Sequence, residues 1–122
     1  MAKVTGLGGI FFKSRDPAAL AAWYAQHLGL DIEDWGGAHF GEDEQRPGST
    51  LWSAFAADTT YFGPGPQPYM INFRVDDLDT LLAQLRAAGV VVDERVEQSE
   101  FGRFGWITDP EGTRVELWQP PQ

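Results

Sequence analysis

The chain has no cysteine. That absence excludes disulfide cross-links, thiol nucleophiles, iron–sulfur clusters and cysteine-based zinc sites. Basic residues are also scarce: nine Lys and Arg stand against eighteen Asp and Glu, a formal charge of −9. Such a charge repels phosphate backbones, and no basic stripe offsets it, so nucleic acid is not an expected partner. The same charge serves solubility and would suit a cationic ligand. No apolar run approaches the roughly 18 residues that a membrane span needs. The opening residues, MAKVT, lack the basic and apolar regions of a signal peptide, so the expectation is a soluble, cytoplasmic protein. There is no G-x-S-x-G, P-loop or G-x-G-x-x-G motif. The run Gly6-Leu7-Gly8-Gly9 enters a strand instead of opening a helix.

What remains is 122 residues with 43% apolar content, enough for one domain with a hydrophobic core. One structural unit occurs twice in it. Residues 10–30 read IFFKSRDPAALAAWYAQHLGL and residues 71–90 read INFRVDDLDTLLAQLRAAGV. Each is an apolar strand, an Asp-started helix and a Gly stop. Asp16 lies 13 positions before Gly29, and Asp77 lies 12 before Gly89. Asp16-Pro17 supplies a capping acceptor and a proline at the first helical position, and Asp76 or Asp77 does the capping in the second unit. The spacing of Leu20, Trp23, Tyr24, His27 and Leu28 predicts the buried face of the first helix; Leu78, Leu81, Leu82 and Leu85 predict that of the second. Strands are expected near 5–13, 69–75, 90–96, 102–108 and 113–119, with two or three short ones between residues 30 and 56. Residues 63–68, rich in Gly and Pro, read as a linker between module one (1–62) and module two (69–122).

Three stretches resemble a known family. WYAQHLGL is similar to the "FY…LGL" helix end of the vicinal oxygen chelate superfamily, which includes glyoxalases, bleomycin-resistance proteins and extradiol dioxygenases. FRVDDLD resembles its second strand-to-helix junction, and DPEGTRVELW its closing hairpin, with Thr113 where Asn is usual. The resemblance implies an α+β fold: two tandem βαβββ modules forming one incomplete, curled β-barrel with helices outside and a ligand cavity inside. It also implies a homodimer.

Metal-dependent members of that superfamily draw ligands from four positions, two per module. Carried onto this chain, the first-strand positions, seven residues before each capping Asp, are Gly9 and Met70. The last-strand positions, four residues after a turn glycine, are Glu116 counted from Gly112 and Trp52 counted from Gly48. A divalent ion needs several converging N or O donors, and one carboxylate does not hold it. The expectation is no metal and no other cofactor. His27, in the first helix, reads as a structural residue, and His39, flanked by glycines, as a loop residue that could reach a cavity mouth.

Alternation gives strand 70–75 an apolar back (Ile71, Phe73, Val75) and a front of Met70, Asn72 and Arg74. In the last strand Val115 and Leu117 fall on the back, with Arg114, Glu116 and Trp118 on the front. Phe11, Trp52, Met70, Asn72, Arg74, Trp106 and Trp118 are the expected ligand-binding residues; the parity of Phe104 and Trp106 stays open. Glu116 is the candidate catalytic base, because burial raises a carboxylate's proton affinity. The alternative is a structural carboxylate paired with Arg74, Arg114 or Arg103. Three functions follow: a metal-independent protein binding a small organic molecule, a glyoxalase-type lyase or isomerase using Glu116, or a collapsed cavity whose surface serves assembly.

Overall fold

Strand β1 (Val4–Ser14) runs through the middle of the molecule in the computed structural model. The structure describes residues 2–28, 30–41 and 49–121, with residues 27 and 28 by backbone alone. Helix α1 (Pro17–Leu28) follows, then β2 (Ala38–Phe40) and β3 (Thr50–Ala56). The second half gives β4 (Tyr69–Val75), α2 (Leu78–Ala87), β5 (Val91–Ser99), β6 (Gly102–Thr108) and β7 (Arg114–Gln119). The strands form one open, curled sheet in the order β2-β3-β1-β4-β7-β6-β5. β1 pairs parallel with β3 and antiparallel with β4, and β4 pairs parallel with β7. The duplicated units thus meet edge to edge.

Local chemistry explains the element ends. Asp16 Oδ1 accepts from Ala19 N at 3.1 Å, and Asp77 Oδ1 accepts from Thr80 N at 3.2 Å, so both helices start on a capping carboxylate. Asp76 instead accepts from Lys3 N, tying β1 to the end of β4. Gly89 leaves α2 with φ +82°, a conformation that suits glycine. The β6–β7 turn closes through Gly112 N to Asp109 O, with Asp109 Oδ1 accepting from Glu111 N and Thr113 N. The stop expected at Gly29, and Gly48, from which the Trp52 position is counted, lie outside the described residues.

Two strands follow α1 among the described residues, within the two or three expected; ahead of them Leu30-Asp31-Ile32 runs into a turn in which Gly36 N donates to Glu33 O and Glu33 N to Gly37 O. Helix α1 buries less than its pattern predicts: Ala21 is buried, Leu20 and Tyr24 are half-buried, and Trp23 is 50% exposed. Alanines surround this helix, so its spacing marks no strongly preferred face. The side chains of His27 and Leu28 lie outside the described residues.

Alternation divides the interior as expected. Val75 and Leu117, with half-buried Phe73, Val92, Ile107 and Val115, pack on Leu78, Leu81, Leu82 and Leu85 of α2. The opposite, concave face carries a second cluster: Phe11, Phe62, Met70 and Trp106, bordered by Leu51, Phe55, Tyr61 and Phe104.

Candidate functional site

Strand register assembles the site. The parallel β4–β7 pairing sets Asn72 opposite Glu116, and the antiparallel β6–β7 pairing sets Trp106 opposite the same residue. Directly opposed residues share a face, so Glu116 is flanked on both sides by hydrogen-bond donors. Asn72 Nδ2 donates to Glu116 Oε1 at 2.6 Å, and Trp106 Nε1 donates to Oε2 at 3.0 Å. A third donor arrives from outside the sheet: Tyr61 Oη, in the loop after β3, reaches Oε2 at 2.5 Å. Glu116 is 1% exposed and Asn72 0%.

All three donors are neutral. Burial pushes the Glu116 carboxyl above the ordinary carboxylate range, opposed by the three hydrogen bonds and by the charge of Arg114. Burial, and then the neighbouring Glu116 charge, also push the Tyr61 hydroxyl upward, so it stays protonated as a donor. The expected arginine partners are engaged elsewhere. Arg114 pairs with Asp93 at 3.1 Å, Arg103 with Asp79 at 2.6 Å, and Arg74 Nη1 donates to Ser49 O at 2.8 Å. In place of the arginine given as the alternative partner of Glu116 stand a phenol, an amide and an indole.

Gly8 makes this arrangement possible. The β1–β4 register slips between Leu7 and Gly9, and a Cβ on Gly8 would lie 1.7 Å from Asn72 Oδ1. The bare backbone there admits the Asn72 amide, whose Oδ1 is buried with no hydrogen-bond donor. Arg114 and Arg95 lie over the Trp106 ring, 5.2 and 5.6 Å from its centroid.

Residues 9–118 match the family described as a glyoxalase-like domain. The chain belongs to that family. With its fold, this membership sets the glyoxalase-like chain in the vicinal oxygen chelate superfamily. A methylmalonyl-CoA epimerase from Mycobacterium tuberculosis is 25% identical, with a TM-score of 0.66 over 98% of this chain and 90% of that one. The Streptomyces coelicolor methylmalonyl-CoA epimerase is 15% identical, with a TM-score of 0.75 over 98% of this chain and 100% of that one. A catechol 2,3-dioxygenase is 24% identical, with a TM-score of 0.62 over 100% of this chain but 41% of its own. The last two likenesses concern the fold alone. No curated protein matches the chain.

The glyoxalase-like frame tests the four ligand positions. Gly9 and Met70 are equivalent on β1 and β4, so Phe11 is equivalent to Asn72. Asn72 pairs with Glu116 and Phe11 pairs with Ser53, which makes Ser53 the counterpart of Glu116. Trp52 is one residue out of register. Its ring lies on the helix side, 4.8 Å from that of Tyr24 and 5.2 Å from that of Phe12. The expectation that Trp52 lines the front is corrected accordingly; its count began at Gly48, which lies outside the described residues. Gly9, Ser53, Met70 and a Glu116 whose two oxygens already accept three hydrogen bonds do not fit the superfamily's metal centre. Among the described residues no group of three His, Asp or Glu comes together elsewhere. His39 is exposed on β2 and pairs with Glu33.

The other expected ligand-binding residues reach the front. Phe11, Met70 and Trp106 are buried together, which settles the parity of Trp106. Trp118 stacks on Phe104 and donates from Nε1 to Phe101 O at 2.7 Å. Arg74 lies against Gly6 at the rim. Phe11, Met70 and Trp106 pack together with Phe62, and Phe55 and Tyr61 pack against them. An open groove of about 740 Å³ lies elsewhere, between Ser14–Asp16 and the Ala19, Leu20, Trp23 and Tyr24 side of α1. Tyr61, Ser53 and Gly8 were not anticipated. The one available signal was the Tyr61-Phe62 pair just ahead of the Gly-Pro run.

Proposed function

We propose that this glyoxalase-like protein binds a small organic molecule on its aromatic front face, without the superfamily's usual metal centre. The observation that carries the reading is that both oxygens of Glu116, at the pseudo-twofold site, accept from neutral donors, three hydrogen bonds in all. A metal-ligating carboxylate keeps a lone pair aimed at an open coordination position; this one is aimed at a phenol, an amide and an indole. Phe11, Phe55, Met70 and Trp106 supply the flat apolar walls that hold planar compounds.

The test has two parts. Metal analysis of the purified protein is expected to find no stoichiometric zinc, nickel or iron; a metal lost on Glu116→Ala would overturn the reading. A thermal-shift screen is expected to find stabilising organic compounds, since a ligand at 100 times its Kd stabilises by about 2.7 kcal/mol. Compounds that stabilise the wild type and lose their effect in Met70→Ala support the front face as their site.

The raised proton affinity of Glu116 favours a second reading, a lyase or isomerase that uses this carboxylate as base. In that case substrate must take the position of Tyr61 at Oε2, so that the freed lone pair accepts the substrate's proton. Glu116→Gln then abolishes turnover while leaving binding within about tenfold; unchanged turnover removes the role.

A further inference from the structure

The front face carries its own occupant. Phe62, 0% exposed, packs with Phe11, Met70 and Trp106. Tyr61 stacks on Phe55 with centroids 5.5 Å apart and planes 12° from parallel. It meets Trp106 edge-on at 6.0 Å and 90°, and its hydroxyl reaches Glu116. Each of these is a contact that a planar ligand would make.

The segment that delivers both rings is held by the packing of those rings and by few hydrogen bonds. Thr59 N to Ala56 O and Gly63 N to Thr60 O are turns within it. Its far end is clamped, Arg114 N donating to Gln67 Oε1, Gln67 Nε2 to Arg114 O, and Lys13 N to Pro68 O. Between these anchors, among the described residues, the hydrogen bond from Tyr61 to Glu116 is the one hydrogen bond to the sheet; the packing of Phe62, with the Lys13 ammonium 5.9 Å from its ring centre, supplies the rest of the attachment. Gly63, with φ +89°, lies directly after the two rings, where a backbone swing meets least resistance.

We infer that residues 57–66 form a displaceable lid, and that Tyr61 holds the place of a ligand bearing an aromatic ring with a hydroxyl or N–H donor directed at Glu116. The class follows from what departure of Tyr61 leaves behind. Phe55 and Trp106 regain a ring-shaped space, and Oε2 of a fully buried carboxylate loses its shortest hydrogen bond. A ring without a donor fills the space and leaves that oxygen under-satisfied, which is costly in a buried site. The inference rests on the proposal that the front face is the ligand site.

p-Cresol, the tyrosine side chain as a free molecule, and toluene, its donor-less counterpart, test the inference by calorimetric titration of wild type, Tyr61→Phe and Tyr61→Gly. p-Cresol is expected to bind Tyr61→Gly about tenfold or more tighter than wild type, and toluene about tenfold or more weaker than p-cresol on that variant. Tyr61→Phe keeps the packed ring and loses only the tie, so it covers the case in which the glycine variant fails to fold; its p-cresol affinity should fall between the other two. In wild type, saturating p-cresol should speed chymotrypsin cleavage at Tyr61 or Phe62. Equal affinities across the three proteins, toluene binding as tight as p-cresol, or a loop that stays protected in the complex would each overturn the inference. Binding of p-cresol to none of them overturns it too. The broader reading survives that result if a screened compound still depends on Met70, and falls with it if none does.

Discussion

Asn72 and Glu116 face each other across neighbouring parallel strands, and the amide of one holds the carboxylate of the other at 2.6 Å. Neither side chain is accessible to water. Around this pair stand two further donors without charge, the Trp106 indole and the Tyr61 phenol.

Replacing Asn72 by Leu removes a buried donor while keeping bulk. The cost should be about 1–3 kcal/mol, the penalty for leaving a buried polar group unpaired. Denaturant unfolding measures it. A loss below about 0.5 kcal/mol would mean that the hydrogen bond contributes little.

Gly8→Ala introduces a methyl where Asn72 Oδ1 now lies. Overpacking of this kind costs about 1–3 kcal/mol. In an Asn72→Ala background the same change should cost markedly less, because the clash partner has gone. The double-mutant cycle reads that coupling directly. Additive effects would show that Gly8 is required for some reason other than the amide.

The proton affinity of Glu116 predicts a pH dependence with a definite sign. Its folded-state pKa is raised above the ordinary value of 4.5. The folded state therefore binds this proton more tightly than the unfolded chain does. The resulting contribution to stability is complete below the ordinary carboxylate range and is lost as pH rises through the raised folded value. Unfolding of wild type and Glu116→Gln across pH should move against the wild type as pH rises from about 4. A constant difference would show that the carboxyl ionises as readily folded as unfolded.

Trp52 separates the two faces of the sheet. Trp52→Ala loosens the packing of α1 through Tyr24 and should cost about 1–3 kcal/mol, less than for a fully buried tryptophan because the ring is half-exposed. Affinity for any front-face ligand should stay within about twofold. A selective loss of ligand binding would restore Trp52 to the site.

How far the sequence led depends on which physics each feature obeys. Strand β4 and helix α2 were legible because their apolar periods are clean: Phe73 and Val75 against Leu78, Leu81 and Leu82. Glu116 was legible because Asp109-Pro110-Glu111-Gly112 fixes the turn four residues before it. Trp52 was misplaced because the sequence ahead of β3 carries no such marker, and one residue of register turns a strand inside out. Helix α1 was over-read because alanines blur its faces. Tyr61 was missed for a different reason. Its partner is 55 residues away and its segment has no period, so only the assembled sheet brings hydroxyl and carboxylate together.

The seam between β1 and β4 has a consequence for the history of such chains. The two halves join by backbone hydrogen bonds along strand edges, and where the register slips between Leu7 and Gly9 the bare backbone of Gly8 lets them close. Away from that slip, a front-face residue such as Met70 can be exchanged without reopening the joint. A backbone-stitched seam lets the chemistry above it drift while the scaffold beneath stays the same.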